Sequence, residues 1–273
     1  MDLFQAIVLG IFQGLTEFLP ISSTAHLRIV PALLGWPDPG APFTAVTQIG
    51  TLLAVLFTFR KDVLRLFAAF IRALLHRRPF ESNDAALAWW IIAGTIPIVV
   101  CGMLFKSSIE HAFRSLYVIS ASLIILAGLL ALAERISRRA RTMEHVRFSD
   151  VLAIGAAQAV ALVPGASRSG TTITAGLFLH FTRETSAAFS FLLSIPAIAL
   201  SGLYQLYELR HQLLGERGLP LIVATVVSAI VGFLTIEMLL RFLRTHSTFL
   251  FIWYRLALGI VLLILLSLGI LPP

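Results

Sequence analysis

Residues 10–26 read Gly-Ile-Phe-Gln-Gly-Leu-Thr-Glu-Phe-Leu-Pro-Ile-Ser-Ser-Thr-Ala-His. They put an amide, a carboxylate, three consecutive hydroxyls and an imidazole into one short stretch. The residues around them are apolar enough for lipid. An ionisable group at membrane depth costs about 2.5–3.5 kcal/mol on insertion scales, so such groups line cavities or pathways and avoid acyl chains. Gln13 and Glu17 are four apart and project from one helical face. Pro20 breaks that helix, and Ser22, Ser23 and Thr24 are suited to cap a new one. Glu17, Ser23 and His26 on either side of the break are the parts of a nucleophilic or acid–base site.

A second break carries different chemistry. Residues 164–172 read Pro-Gly-Ala-Ser-Arg-Ser-Gly-Thr-Thr. Pro164 and Gly165 end one helix, and Ser167, Ser169 and Thr171 offer hydroxyls. Gly170 admits close backbone approach. The helix that follows starts with free N–H groups and a dipole that favours an anion. Arg168 adds a fork-shaped cation suited to phosphate. Together these residues make a phosphate cradle. It is not the nucleotide P-loop, which needs Gly-x-x-x-x-Gly-Lys-Ser/Thr and a soluble parallel sheet. The plainer structural readings are that Arg168 pairs with Glu17 to hold two hairpins together, that Ser23 only caps its helix, that His26 only packs, and that Gln13 and Gln158 hydrogen-bond to each other across an internal interface.

Placing both breaks in a membrane follows from composition. Of 273 residues, 58% are hydrophobic and 13% charged, and the mean hydropathy is +0.91. A soluble domain is about half apolar and a quarter charged, so this chain is a polytopic all-α membrane protein. The net charge of +7 does not signal nucleic acid, because no soluble domain exists to hold a duplex. One cysteine, Cys101, excludes a disulfide framework and a thiolate cluster. His111, His145, His180, His211 and His246 show no metal-ligand spacing.

Six apolar stretches, near 43–59, 86–105, 116–133, 186–207, 219–240 and 249–270, approach the roughly 20 residues that cross a bilayer. The pairs 3–19/21–35 and 150–163/171–182 are short helices around a Pro and hydroxyls. They read as two re-entrant hairpins lining a protein cavity. This arrangement puts segments 60–85, 134–149, 183 and 241–248 on one side with fourteen Lys and Arg. The other side has five: Arg28, Lys106, Arg114, Arg210 and Arg217. The excess marks the first side as cytoplasmic. Within it, residues 61–76 set Lys61, Arg65, Arg72 and His76 along one face, as in an interfacial helix on anionic lipid. Trp253, Tyr254 and Arg255 read as an interface anchor, and Gln48 is placed to point into the site.

The two breaks also repeat each other. Gly10-x-x-Gln13 matches Gly155-x-x-Gln158, Pro20 matches Pro164, and Ser22 matches Ser167, all at an offset of about 145 residues. The chain then forms one integral membrane domain, 1–273, of two halves, about 1–149 and 150–273. Each half has an odd number of spans, so the second is inverted. Inverted repeats of broken helices bring their break points together near the midplane. That is equally a transporter design, so movement of a phosphate-bearing lipid is the alternative function.

Gln13-x-x-x-Glu17 through His26, and Pro164-Gly-Ala-Ser-Arg-Ser-Gly-Thr171, resemble the two signatures of the bacterial undecaprenyl-diphosphatases of the bacitracin-resistance type. Length and segment order fit from end to end. The resemblance implies removal of the terminal phosphate from undecaprenyl diphosphate in the bacterial inner membrane. The product is the carrier lipid reused for peptidoglycan and other envelope glycans. It implies Mg²⁺ or Ca²⁺ held by Glu17 and the Gln13 amide, with Ser22, Thr24, Ser167, Ser169, Gly170 and Thr171 around the phosphates. Family members carry Glu or Gln at position 13, so a two-carboxylate metal site is not implied here. Arg168 would hold the phosphoryl oxygens, and Ser23 is the candidate nucleophile, with His26 and metal-bound water as alternatives. Expected partners are the polyprenyl diphosphate and membrane lipids; a homodimer is compatible with the sequence. The first hairpin opens away from the basic side, so the site is expected to face outward.

Overall fold

The computed structural model describes residues 1–110, 112–208, 210 and 218–271; His111, His211 and Arg217 lie outside them. Six helices are long and apolar enough to cross a bilayer. They are α3 (Gly40–Thr58), α5 (Asn83–Leu104), α7 (Leu116–Ile136), α10 (Arg183–Glu208), α11 (Gly218–Thr245) and α12 (Phe249–Ser267). These are the six stretches the hydropathy picks out, and the protein is an all-α polytopic membrane protein. Among the described residues there is no strand, only an isolated bridge between Arg141 and Phe181.

The remaining apolar helices are short. They are α1 (Leu3–Phe18) with α2 (Ser23–Leu34), and α8 (Phe148–Val160) with α9 (Arg168–Phe178). At about 1.5 Å per residue the longest of the four rises about 24 Å, below the roughly 30 Å of a hydrocarbon core. Each pair folds back on itself. Phe12 stacks on His26 with ring centroids 6.2 Å apart, and Leu9 and Leu27 share one buried cluster. These partners flank the break at Leu19–Ser22, so α1 and α2 run antiparallel. In the second pair, Arg141 donates to Asp150 at the start of α8 (3.0 Å) and to the Leu179 carbonyl just past α9 (3.1 Å).

Helices in lipid gain little from apolar burial, so they associate through close packing at small residues. A Cβ on Gly155 would lie 2.3 Å from the Gly94 carbonyl oxygen of α5, and one on Gly10 would lie 2.6 Å from the Ala224 carbonyl oxygen of α11. Each hairpin therefore leans on a long span with its backbone against that span's backbone.

Charged contacts gather at the two ends. At one end, buried Glu134 accepts from Arg183 Nε (2.8 Å), Arg139 (3.3 Å) and the Thr248 hydroxyl (2.8 Å), joining α7, α10 and α12. Arg244 pairs with Glu184 at 2.7 Å in the same region. Helix α4 (Arg60–Leu75) joins it there. Leu66 of α4 shares a cluster with Phe181 and Met143, whereas Leu64 and Phe67 are exposed. At the other end Arg114 binds Asp38 through both guanidinium and carboxylate (2.6 Å), and Arg28 lies 3.6 Å from the same carboxylate. The basic segments meet at one end, as the charge count requires. The short α6 (Lys106–Glu110) lies on the opposite side, with Lys106 donating to the Tyr204 hydroxyl at 3.1 Å.

Candidate active site

Both breaks are built alike. Ser22 has φ 76° and Ser167 φ 69°, and each serine hydroxyl caps its helix, accepting from the N–H of Ala25 (3.3 Å) and Gly170 (3.0 Å). A non-glycine residue with positive φ costs roughly 1–3 kcal/mol and persists where its surroundings over-determine it. Each cap also faces a second hydroxyl two residues on: Ser22 with Thr24 at 3.1 Å, and Ser167 with Ser169 at 3.2 Å. The helix starts leave N–H groups of Ser23, Thr24, Arg168 and Ser169 without intrahelical acceptors. Two such starts give an anion two positive dipole ends to approach.

The two breaks meet. Ser169 Oγ donates to the Leu19 carbonyl at 3.0 Å. Arg168 pairs with Glu17 Oε1. The other carboxylate oxygen, Oε2, accepts from Ser23 Oγ at 2.6 Å, Gln13 Nε2 at 2.8 Å and, at 3.5 Å, Gln48 Nε2. The Glu17 side chain is 2% exposed and that of Arg168 14%. A buried carboxylate is tolerated only when paired and hydrogen-bonded, and this one is both. Glu17 is the centre of the cluster, and the hydroxyl it holds is that of Ser23.

His26 stands apart from that hydroxyl bond. Its Nδ1 lies 2.7 Å from the Ser22 carbonyl and its Nε2 2.7 Å from the Tyr254 hydroxyl. The ring is stacked between Phe12 and Tyr254. A carbonyl only accepts, so Nδ1 carries the hydrogen, and Nε2 of the neutral ring accepts from Tyr254. Thr171 donates to the Arg168 carbonyl at 3.1 Å. Gln48 reaches the site from α3, as its position in the sequence suggested.

Two readings change. Gln13 and Gln158 do not bond to each other: Gln13 Nε2 is engaged by Glu17, its Oε1 is buried without a partner, and Gln158 has neither amide atom paired. Arg255 is not an interface anchor. It is fully buried, and its guanidinium donates to the carbonyls of Pro20, Gly165 and Ala166 at 3.1–3.2 Å. Tyr254 and Arg255 are the contributors that sequence reasoning missed. The available signal was a charge inside an α12 window of mean hydropathy 2.5.

The Glu17 carboxylate, which now accepts from the nitrogens of Gln13, Gln48 and Arg168 and from the Ser23 hydroxyl, and the unpartnered Gln13 Oε1 are hard oxygen ligands of the kind a hard cation takes. Among the described residues no group of three His, Cys, Asp or Glu side chains is arranged to hold a metal, so a cation here would share its coordination with a ligand's own oxygens. The unpartnered Gln13 Oε1 beside Glu17 fits that arrangement.

Fold and site together define a multi-span membrane protein with a buried, hydroxyl-rich polar cluster between two broken hairpins. The family described as bacitracin resistance protein BacA matches residues 6–261. An undecaprenyl-diphosphatase of Chloroherpeton thalassium is 57% identical over 278 residues, covering 98% of each chain. Those of Chlorobium phaeovibrioides and Chlorobium phaeobacteroides are 56% and 55% identical, covering 98–100% of both chains. The chain belongs to the bacitracin resistance protein BacA family.

Proposed function

We propose that this membrane phosphatase removes the terminal phosphate of undecaprenyl diphosphate, giving undecaprenyl phosphate and inorganic phosphate. The observation that carries the reading is the Glu17 carboxylate shared between the Ser23 hydroxyl on one oxygen and the Arg168 guanidinium on the other. Ser23 Oγ attacks the terminal phosphorus as its proton passes to Glu17 Oε2. The bond from that phosphorus to the bridging oxygen breaks, and undecaprenyl phosphate leaves. Arg168 and the helix starts at Ser23 and Arg168 hold the equatorial oxygens as charge moves. Glu17 gives that proton to the departing undecaprenyl phosphate and is a carboxylate again; water then attacks the phosphoserine, Glu17 taking the water proton and returning it to Ser23 Oγ as phosphate departs. Substrate arrival displaces Arg168 from part of its contact with Glu17.

A divalent cation, Mg²⁺ or Ca²⁺, would be held by Glu17 and Gln13 Oε1. It would supply charge neutralisation to the diphosphate, an effect of several kcal/mol. Chelation with EDTA is expected to lower phosphate release by about a hundred-fold, restored by Mg²⁺. Activity indifferent to EDTA removes the cation from the scheme.

Purified protein in detergent with Mg²⁺ should release phosphate from undecaprenyl diphosphate, and rapid quenching with substrate labelled in the terminal phosphate should trap label on Ser23. Label on His26, or none during steady turnover, refutes Ser23 as the nucleophile. Transport of the lipid across vesicles with no phosphate released would favour the transporter alternative.

The repeat halves 1–149 and 150–273 are supported by the matched caps, φ values and hydroxyl pairs of the two breaks. With the basic end cytoplasmic, the Arg28–Asp38–Arg114 end faces outward, and the first hairpin opens that way. In a Cys101→Ser chain, Leu34→Cys, half exposed at 54%, should react with an impermeant thiol reagent from the outside of intact cells. Reaction only from the cytoplasmic side reverses the orientation. An outward site in the inner membrane returns the carrier lipid for peptidoglycan synthesis, which is the route to bacitracin resistance.

A further inference from the structure

One buried cation has no carboxylate. Arg255 of α12 is 0% exposed, and among the described residues it forms no ion pair. Its nitrogens fan out to three parts of the chain instead. Nη1 donates to the Pro20 carbonyl of the first break (3.2 Å). Nη2 donates to Gly165 and Ala166 of the second break (both 3.1 Å) and approaches Ser122 of α7 (3.4 Å). Nε donates to Leu123 at 3.3 Å.

Backbone carbonyls solvate a guanidinium without cancelling its charge. Keeping a whole positive charge dry and unpaired is expensive, and a well-packed apolar residue would stabilise the fold at least as well. Glu17 and Arg168 neutralise each other, so the charge left over at the meeting of the breaks is that of Arg255. The neighbouring helix makes room for it: a Cβ at Gly170 would lie 2.6 Å from Arg255 Nη1. Gly170 is in the first turn of α9, two residues from Arg168.

We infer that Arg255 is a positioning residue for phosphoryl transfer. It fixes the Pro20 turn against the Gly165–Ala166 turn at the separation where Ser23, Glu17 and Arg168 act on one phosphorus. Its unneutralised charge tightens binding of the diphosphate headgroup. The inference rests on the phosphatase reading above. It separates two roles that substitution can divide. Lysine keeps the charge but has one compact head that cannot reach three parts of the chain at once. Methionine keeps the bulk and loses both.

Steady-state kinetics of folded, monodisperse protein in detergent with undecaprenyl diphosphate and Mg²⁺ test it. A misplacement of about 1 Å costs on the order of a hundred-fold, so Arg255→Lys should lower kcat by about that factor with KM nearly unchanged. Arg255→Met should lower kcat and also raise KM by about ten-fold. Gly170→Ala should lower kcat in the Arg255 chain and much less in the Arg255→Lys chain, because the fork it crowds is gone. A merely structural arginine predicts fewer folded molecules, each with wild-type kcat and KM; that result, or additive Gly170→Ala and Arg255→Lys effects, overturns the inference. If neither Arg255 variant folds, a folded Gly170→Ala chain with wild-type kcat overturns it and one with reduced kcat and unchanged KM supports it. Absence of phosphate release by the unmodified protein would instead refute the phosphatase reading itself.

Discussion

Glu17→Gln is expected to lower phosphate release by at least about 10⁴-fold while leaving the protein folded. General-base catalysis contributes about 10²–10⁴, and the amide cannot take the proton that Ser23 Oγ now offers to Oε2 at 2.6 Å. A second loss adds to it. Glutamine leaves Arg168 without its counter-ion in a nearly closed site, and breaking a buried pair costs roughly 3–5 kcal/mol. Part of that cost falls on the fold, so the comparison needs the thermal midpoint in detergent alongside kcat. Glu17→Asp keeps the charge but withdraws it from Ser23, and should lie between. Residual activity of Glu17→Gln within ten-fold of the unmodified chain would show that the carboxylate is not the base.

Arg168→Lys has the next largest expected effect, about 10³-fold on kcat with a smaller change in KM. Arginine groups that stabilise transferring phosphoryl groups are worth roughly 10³–10⁵. Lysine retains the charge beside Glu17 and so should keep the two hairpins joined. It loses the planar fork that binds two phosphoryl oxygens while still facing the carboxylate. Arg168→Ala removes both and leaves Glu17 buried and unpaired, so its kinetic loss will be mixed with a stability loss. If Arg168→Lys were fully active, the residue would serve only as a clasp between hairpins.

The spans were legible because apolar runs near 20 residues have few alternatives, and the hairpins because Pro20 and Pro164 each sit beside hydroxyls in otherwise apolar sequence. Glu17 and Arg168 announced themselves as charges at membrane depth. Other features had no local signal. Positive φ at Ser22 and Ser167 would ordinarily call for glycine, and the serines stay because their hydroxyls cap the next helix. Tyr254 and Arg255 follow Trp253 in a pattern that an aromatic belt also produces. Only the depth of α12 against both breaks tells a belt from a staple. Gln13 and Gln158 looked like partners because the repeat aligns them, yet alignment in register is not contact across space. Ser23 and His26 are a turn apart on one helix and read as alternative nucleophiles, whereas the fold turns His26 toward Tyr254 and gives Ser23 to Glu17.

The likeness of the two breaks also sets a stoichiometry. Ser23 and Arg168 occupy the same place, the first helical residue after a strained serine cap, and one turn or so before each cap the first half has Glu17 where the aligned position of the second is Leu162. A hydroxyl bonded to a carboxylate stands on the first side, and a guanidinium on the other. On the proposed mechanism this asymmetry gives the site a direction: one headgroup per chain, with only the phosphorus beside the first break open to attack.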